Sequence, residues 1–211
     1  LGDAGVIEGK TVIAASGASY RRLGVPGEEQ YIGHGVSFCA TCDGAFYKER
    51  VCAVIGGGDT ALEEAHFLTR FASRVYLIHR RDRFRGVKIL EDRVLASDKI
   101  KPVLDTVVES INGTTKVENL AIKNVKTGRQ STLAVQGVFV FIGFDANTGY
   151  LPEEVLDENG NVKTDINMKT SVPGLFAAGD LRSGSKRQIV MAASDGATAA
   201  LEAYEYILGL T

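Results

Sequence analysis

Val51-Cys52-Ala53-Val54-Ile55-Gly56-Gly57-Gly58-Asp59-Thr60-Ala61 decides the fold. Five apolar residues in a row suit a strand buried on both faces, not an alternating half-exposed one. Three glycines then turn the chain. From Asp59 to Ala72 the spacing predicts a helix with Ala61, Ala65, Leu68 and Ala72 on one face. Arg74-Val75-Tyr76-Leu77-Ile78 follows as a second strand. Strand, helix and strand within about 30 residues form a βαβ unit, so the two strands are expected to be parallel. Gly56 to Ala61 also fits G-x-G-x-x-A. The first glycine permits the tight turn, the second lets backbone approach a pyrophosphate, and the Ala allows close helix–strand packing. The helix N-terminus would then present amides to phosphate. A glycine triplet that only makes a turn is the alternative.

Outward from this unit, Lys88 to Ala96 reads as a helix. Thr106 to Val135 alternates and is broken at Asn112-Gly113 and Thr127-Gly128, which predicts antiparallel strands joined by tight turns. Val138-Phe139-Val140-Phe141-Ile142 returns as a buried strand. Beyond it lie a turn at Glu158-Asn159-Gly160-Asn161, a short strand at Leu175-Phe176-Ala177-Ala178, and a long Ala-rich helix from Ile189 to Leu208. Upstream, Lys10 to Ala15 is a lone strand that must pair elsewhere. Three blocks result: residues 1–24, 25–143 and 144–211. The first and third are expected to form one domain interrupted by the second. The fold class is α/β: a three-layer Rossmann-like nucleotide-binding domain with an antiparallel β-meander, inserted in a partial second domain.

Composition narrows the function. The 211 residues are 45% hydrophobic and 24% charged with a net charge of −2, which offers no basic field for nucleic acid. No apolar run reaches the roughly 18 residues of a membrane span. Three cysteines, Cys39, Cys42 and Cys52, do not make a secreted disulfide scaffold, so a cytoplasmic protein with one close redox or metal pair is expected. The chain opens Leu1-Gly2-Asp3 without a Met, and its start is expected to lie upstream.

The end of the second strand discriminates between cofactors. An NAD site places an acid about 20 residues past the glycines. This chain has His79-Arg80-Arg81-Asp82-Arg83-Phe84-Arg85. Arginines there suit the extra 2′-phosphate of NADPH, through charge-assisted hydrogen bonds. A solvated basic loop is the bland alternative. Cys39-Ala40-Thr41-Cys42 is a C-x-x-C pair whose sulfurs can close a small ring and exchange. Asp43 follows and can manage a proton. Half a zinc site and two inert cysteines are the alternatives. The first needs four ligands, and only Cys52, His34, His66 and His79 remain, with no second pair; no metal is expected. Cys52, mid-strand, reads as a core residue.

These stretches, in this order, resemble bacterial-type, low-molecular-weight thioredoxin reductases. The resemblance continues through Gly174-Leu175-Phe176-Ala177-Ala178-Gly179-Asp180, Arg187-Gln188-Ile189, and Thr11 to Gly17. It implies an NADPH-dependent flavoprotein disulfide reductase, with FAD and NADPH as cofactors, thioredoxin or a thioredoxin-like protein as partner, and a homodimer. By position, Cys42 would face the flavin, Cys39 would attack the substrate disulfide, and Asp43 would be the acid/base. Gly56, Gly57, Gly58, Asp59, Thr60, His79, Arg80, Arg81 and Arg85 would bind NADPH. Gly179, Asp180, Arg187, Gln188 and Ile189 would bind FAD, with hinges near Gly24 and Gly143. Residues 1–24 and 144–211 would then be parts of the FAD domain, and 25–143 the NADPH domain. Ser16 stands where the family usually has Thr, and Ala146 where a Pro commonly precedes Asn147-Thr148. The family's first flavin-domain βαβ, with its own G-x-G-x-x-G, is not within the chain. A fragment is therefore expected, binding FAD poorly by itself and exposing apolar surface. The flavoprotein partner of a peroxiredoxin is the runner-up, disfavoured by Ala40-Thr41 in place of Pro-His. An NADPH-binding piece without activity is the reading from a different class.

Overall fold

A computed structural model describes residues 5–209. The chain divides into two compact units: Tyr20–Gly143, and the residues up to Ser19 together with those from Phe144 onward.

In the larger unit a five-stranded parallel sheet is ordered β3-β10-β4-β5-β6. Its strands are β3 (Val36–Ser37), β4 (Val51–Gly56), β5 (Arg74–Ile78), β6 (Ile100–Val103) and β10 (Gly137–Phe141). The unbroken apolar runs are explained by burial on both faces. Cys52, Val54, Val75, Leu77 and Phe139 point into a core with the helices α2 (Asp59–Leu68) and α3 (Lys88–Leu95). The alternate residues Ala53, Ile55, Ile78, Val138 and Val140 point into a second core. That core is closed by the antiparallel strands β7 (Thr106–Gly113), β8 (Val117–Asn124) and β9 (Gln130–Ala134). The result is three layers: helices, parallel sheet and meander. The short helix α1 (Ala40–Asp43) packs on α2.

Two boundaries differ from the sequence expectation. α2 stops at Leu68, not Ala72. The amides of Thr69, Arg70 and Phe71 reach back only three residues, and the Thr69 hydroxyl donates to the His66 carbonyl at 2.6 Å, so the last turn tightens. Ala72 still reaches the core, fully buried. The first meander turn lies at residues 114–116, because Asn112 and Gly113 remain in β7. Asn112 pairs with Asn119 side chain to side chain at 3.1 Å, and the register shifts between Asn112 and Gly113. The expected break at Thr127-Gly128 is a turn, with Gly128 at φ 72°.

β3 and β6 were not visible in the sequence. β3 is two residues long, and β6 carries Pro102, which a strand at the edge of a sheet tolerates. Where the chain enters this unit, the buried Glu28 carboxylate accepts the amides of Leu23 (2.9 Å) and Gly24 (2.8 Å).

In the smaller unit β1 (Val12–Ala14) finds its partner in β12 (Leu175–Ala177), parallel and in register Ile13 to Phe176. β2 (Ala18–Tyr20) pairs with β11 (Phe144–Ala146). α4 (Ile189–Leu208) covers β12 and β1 through Ala199 and Ala203. Its other side leaves Val190, Leu201, Tyr204 and Leu208 exposed.

Leu77 is central in β5 and fully buried. Leu77→Ala is expected to cost about 2–5 kcal/mol, read from urea unfolding by circular dichroism.

Candidate functional site

β4 is the switch point of the larger unit. The chain leaves it toward β5 and β6 on one side and returns to its other side as β10. In open α/β sheets ligands bind at that reversal, beyond the carboxyl ends of the strands. A cleft of about 460 Å³ lies there, lined by Gly56 and Gly57 after β4, His79 and Arg80 after β5, and Phe141 and Ile142 at the end of β10.

Each glycine of the turn has its own steric reason. Gly56 sits at φ 154°, and a Cβ there would collide with the Phe141 carbonyl and lie 2.7 Å from the Ala61 Cβ. A Cβ on Gly57 would overlap the His79 ring. Gly57 therefore makes room for a side chain of this protein, a role the motif alone does not disclose. Gly58 is the N-cap of α2 and faces open space, so the first amides of that helix are approachable.

The segment after β5 is stitched over this turn. The Arg85 amide donates to the Gly57 carbonyl at 2.6 Å, and the Val87 amide donates to Asp59 Oδ1 at 2.7 Å. The Asp59 carboxylate is thus a tether. Arg80, Arg81, Arg83 and Arg85 rim a second, more open depression of about 650 Å³. Lys126 bridges to Asp82 at 3.4 Å and to Asp105 at 3.1 Å, which draws the acid of this segment away from the arginines. Among the described residues no carboxylate pairs with Arg80, Arg81 or Arg85. Unpaired guanidinium groups at one place suit a phosphate.

His79 is 6% exposed, and its Nε2 has no hydrogen-bond partner among the described residues. Burial pushes its proton affinity below the ordinary 6.5, and the charges of Arg85, Arg81 and Arg80 push it further the same way. A buried polar atom without a partner needs a reason, and the residue that carries this one lines the cleft.

The dithiol lies on the same unit but not in the lining of that cleft. Cys39 and Cys42 are bridged, with sulfurs 2.09 Å apart. Cys39 is the N-cap of α1, and its Sγ accepts the Cys42 amide at 3.1 Å. Two neighbouring amides are also satisfied. The Cys39 amide donates to Ser37 Oγ at 3.1 Å, and the Ala40 amide donates to Glu64 Oε2 at 3.1 Å. The Ser37 hydroxyl in turn donates to Asp43 Oδ2 at 2.7 Å. Cys42 is exposed and Cys39 half-buried. Cys52 is fully buried, and burial pushes its thiol up to about 12.

In the smaller unit Gly179 takes φ 84° after β12, and its amide donates to Asp195 Oδ2 at 3.1 Å. Arg182 Nε donates to the same oxygen at 2.9 Å. Asp180 is half-buried and accepts the Ser185 hydroxyl at 3.4 Å. The Arg187 guanidinium lies over the Phe144 ring, Gln188 is the N-cap of α4, and Ile189 is 90% exposed.

The family model of pyridine nucleotide-disulphide oxidoreductases matches residues 2–196. Among curated relatives, the thioredoxin reductase of Helicobacter pylori is 48% identical over 212 residues, covering 97% of this chain and 68% of that protein. That of Treponema pallidum is 46% identical over 203 residues, covering 96% of this chain and 66% of that protein. The crystal structure of thioredoxin reductase from Streptococcus pyogenes superposes with a TM-score of 0.91 at 49% identity, over 94% of this chain and 66% of that one. The chain belongs to the thioredoxin reductase family. It spans about two thirds of the length of these relatives.

Across the chain the expected site residues fall into separate groups. Gly56, Gly57, His79, Arg80 and Arg85 meet in the cleft, and Arg81 stands on the neighbouring rim. Asp59 and Thr60 lie outside the cleft lining, on the exposed start of α2. Cys39, Cys42 and Asp43 form the dithiol turn. Gly179, Asp180, Arg187, Gln188 and Ile189 belong to the other unit. Ser37, Glu64 and Asp195 were missed. Asp195 had a signal, since it shares the helix face of Ala199 and Ala203 at four-residue spacing. Glu64 had none, being one of two adjacent glutamates. Among the described residues no helix is long and apolar enough to cross a membrane, and no group of three or more His, Cys, Asp or Glu could hold a metal.

A histidine held below 6.5 binds fewer protons in the fold than in the unfolded chain. Its contribution to stability is therefore present above about pH 6.5 and lost as the pH falls below it. Urea midpoints measured at pH 5.5 and 7.5 are expected to differ less in His79→Gln than in the unaltered protein.

Proposed function

We propose that this chain carries the NADPH site and the redox dithiol of an NADPH-dependent flavoprotein that reduces thioredoxin or a thioredoxin-like protein. The observation that supports it best is the bridged Cys39–Cys42 pair on the same unit as a switch-point cleft flanked by unpaired arginines. The relatives bear the name of that activity.

NADPH fits the larger unit. The orphaned Nε2 of His79, the open space before Gly58 and the three guanidinium groups are what a dinucleotide with a 2′-phosphate would use. Arg80, Arg81 and Arg85 would hold the 2′-phosphate, and Gly57, Gly58 and the start of α2, with Asp59 and Thr60, would receive the diphosphate. In the smaller unit Asp180, with a single long hydrogen bond from Ser185, fits a hydroxyl-bearing ribityl chain. Gly179 would bring that turn close to it, and Arg187, Gln188 and Ile189 would lie beside the flavin ring. When bound, NADPH supplies a hydride and FAD conveys its two electrons to the protein disulfide.

This chain's own residues then do the exchange chemistry. The Cys39–Cys42 bond takes up two electrons and two protons and opens to a dithiol. Cys39, as thiolate, attacks the substrate disulfide, forming one S–S bond and releasing one substrate sulfur as thiolate. Asp43, fixed by the Ser37 hydroxyl, takes the proton that Cys39 gives up and passes it to that sulfur. Cys42 attacks Cys39 in the mixed disulfide, which re-forms the protein bond and frees the reduced substrate. Hinges near Gly24 and Gly143, a homodimer and a cytoplasmic location complete the reading, on the strength of the family resemblance.

Two measurements test it. Arg80→Ala with Arg81→Ala is expected to weaken NADPH binding to this chain at least tenfold more than NADH binding, since charge-assisted phosphate contacts are worth roughly 1.5–3 kcal/mol each. Equal losses for both nucleotides would defeat the NADPH assignment. In a chain extended to the relatives' full length, Cys42→Ser is expected to abolish NADPH-dependent thioredoxin reduction, and undiminished turnover would remove the dithiol from the mechanism.

A further inference from the structure

The start of the dithiol turn has few hydrogen-bond donors, and they are divided among three acceptors, the Cys39 amide going to Ser37 Oγ. The Cys42 amide goes to the Cys39 sulfur, and the Ala40 amide goes to the Glu64 carboxylate of α2. Once the disulfide is reduced, amides at this place are what would stabilise a Cys39 thiolate. Glu64 removes one of them. It also sets a negative charge one residue along the backbone from the sulfur-bearing residue.

We propose that Glu64 is a positioning residue of the dithiol: by holding the Ala40 amide it fixes the start of α1, and by its charge it makes Cys39 give up its proton less readily than the bare turn would allow. This rests on the reading of Cys39–Cys42 as the redox centre and adds the residue that tunes it. Burial raises the Glu64 carboxyl above its ordinary 4.5, the amides of Ala40 and Thr41 pull it back, and the charge of Glu63 raises it again. The group therefore sits where its own protonation responds to a new charge beside it.

The other groups that bear on this turn differ in kind. Asp43, on α1, accepts the Ser37 hydroxyl. Tyr47 follows in the turn Gly44–Tyr47. Burial, then the charges of Cys52 and Asp43, push its phenol up to about 12, so it stays neutral through the range of thiol titration. On α2, Glu63 is exposed, and His66 and Arg70 line a groove of about 220 Å³ with Glu63, Glu64 and Arg93 of α3. Among these, Glu64 alone holds an α1 amide in the described structure.

Glu64→Gln keeps an oxygen that accepts the Ala40 amide and removes only the charge. The test is the pH profile of iodoacetamide alkylation at Cys39 in the dithiothreitol-reduced protein, read by peptide mass. The midpoint in Glu64→Gln is expected to fall by roughly 0.5–1 pH unit, the scale of one nearby charge. Glu63→Gln, one position round the helix, is expected to shift it much less. Coincident profiles for Glu64→Gln and the unaltered protein overturn the proposal, as do equal shifts for the two variants. Cys52 reports the fold, since its buried thiol is labelled only if the variant unfolds. A second measurement needs no variant. In the reduced unaltered protein, the 13C carboxyl signal of Glu64 is expected to show a step at the Cys39 midpoint, because interacting groups titrate together. A Glu64 signal indifferent to Cys39 ionisation overturns the proposal. Neither readout involves NADPH or thioredoxin, so a failure here and a failure of the reductase reading are told apart.

Discussion

Two missing side chains hold the larger unit together. At Gly56 any Cβ would drive into the Phe141 carbonyl and against Ala61; at Gly57 it would enter the His79 ring. Because both are absent, the end of β4, the start of α2, the last carbonyl of β10 and the residue after β5 converge within contact distance. The helix can then lay Ala61, Ala65 and Leu68 directly on the sheet, all fully buried. A larger residue at either glycine would lift the helix or the loop from the strand ends. The cleft is the space this convergence leaves, so packing and binding site have one cause.

Electrostatics at the two candidate centres follow opposite rules. Around the cleft, charge is left unpaired: among the described residues three guanidinium groups lack carboxylate partners, and the imidazole of His79, whose burial disfavours the charged form, has one nitrogen without a partner. The guanidinium groups face water, which an anion would replace, and only the buried His79 nitrogen carries the cost of a missing hydrogen bond. At the dithiol the amides of Cys39, Ala40 and Cys42 each have an acceptor, and two of those acceptors are themselves anchored, Ser37 by donating its hydroxyl to Asp43 and Glu64 by its place on α2. Such a turn can change redox state without its backbone losing hydrogen bonds. One centre is built to receive a ligand and the other to keep its shape.

What the sequence disclosed tracks how many constraints each residue meets at once. β4, β5 and β10 were legible because burial on two faces forces continuous apolar runs, and α4 because its small residues repeat over twenty positions. β3 and β6 were not, since two- and four-residue strands are specified by the neighbours they pair with. Asn112-Gly113 misled because the dipeptide that favours a tight turn also suits a bulged strand end, and the Asn112–Asn119 contact decided between them. The arginines and cysteines declared themselves by spacing. Glu64 and Ser37 did not, because their role depends on a hydrogen bond made across the fold to a backbone atom, which leaves no periodic trace.

The parallel sheet ends on one side in a strand of two residues and on the other in one of four that contains a proline. Neither border presents a long row of free amides and carbonyls to another chain. β4, β5 and β10, the strands with the strongest tendency to pair, lie inside and have no open side. Its borders thereby guard the parallel sheet against strand-by-strand polymerisation, in which a sheet grows by recruiting further copies.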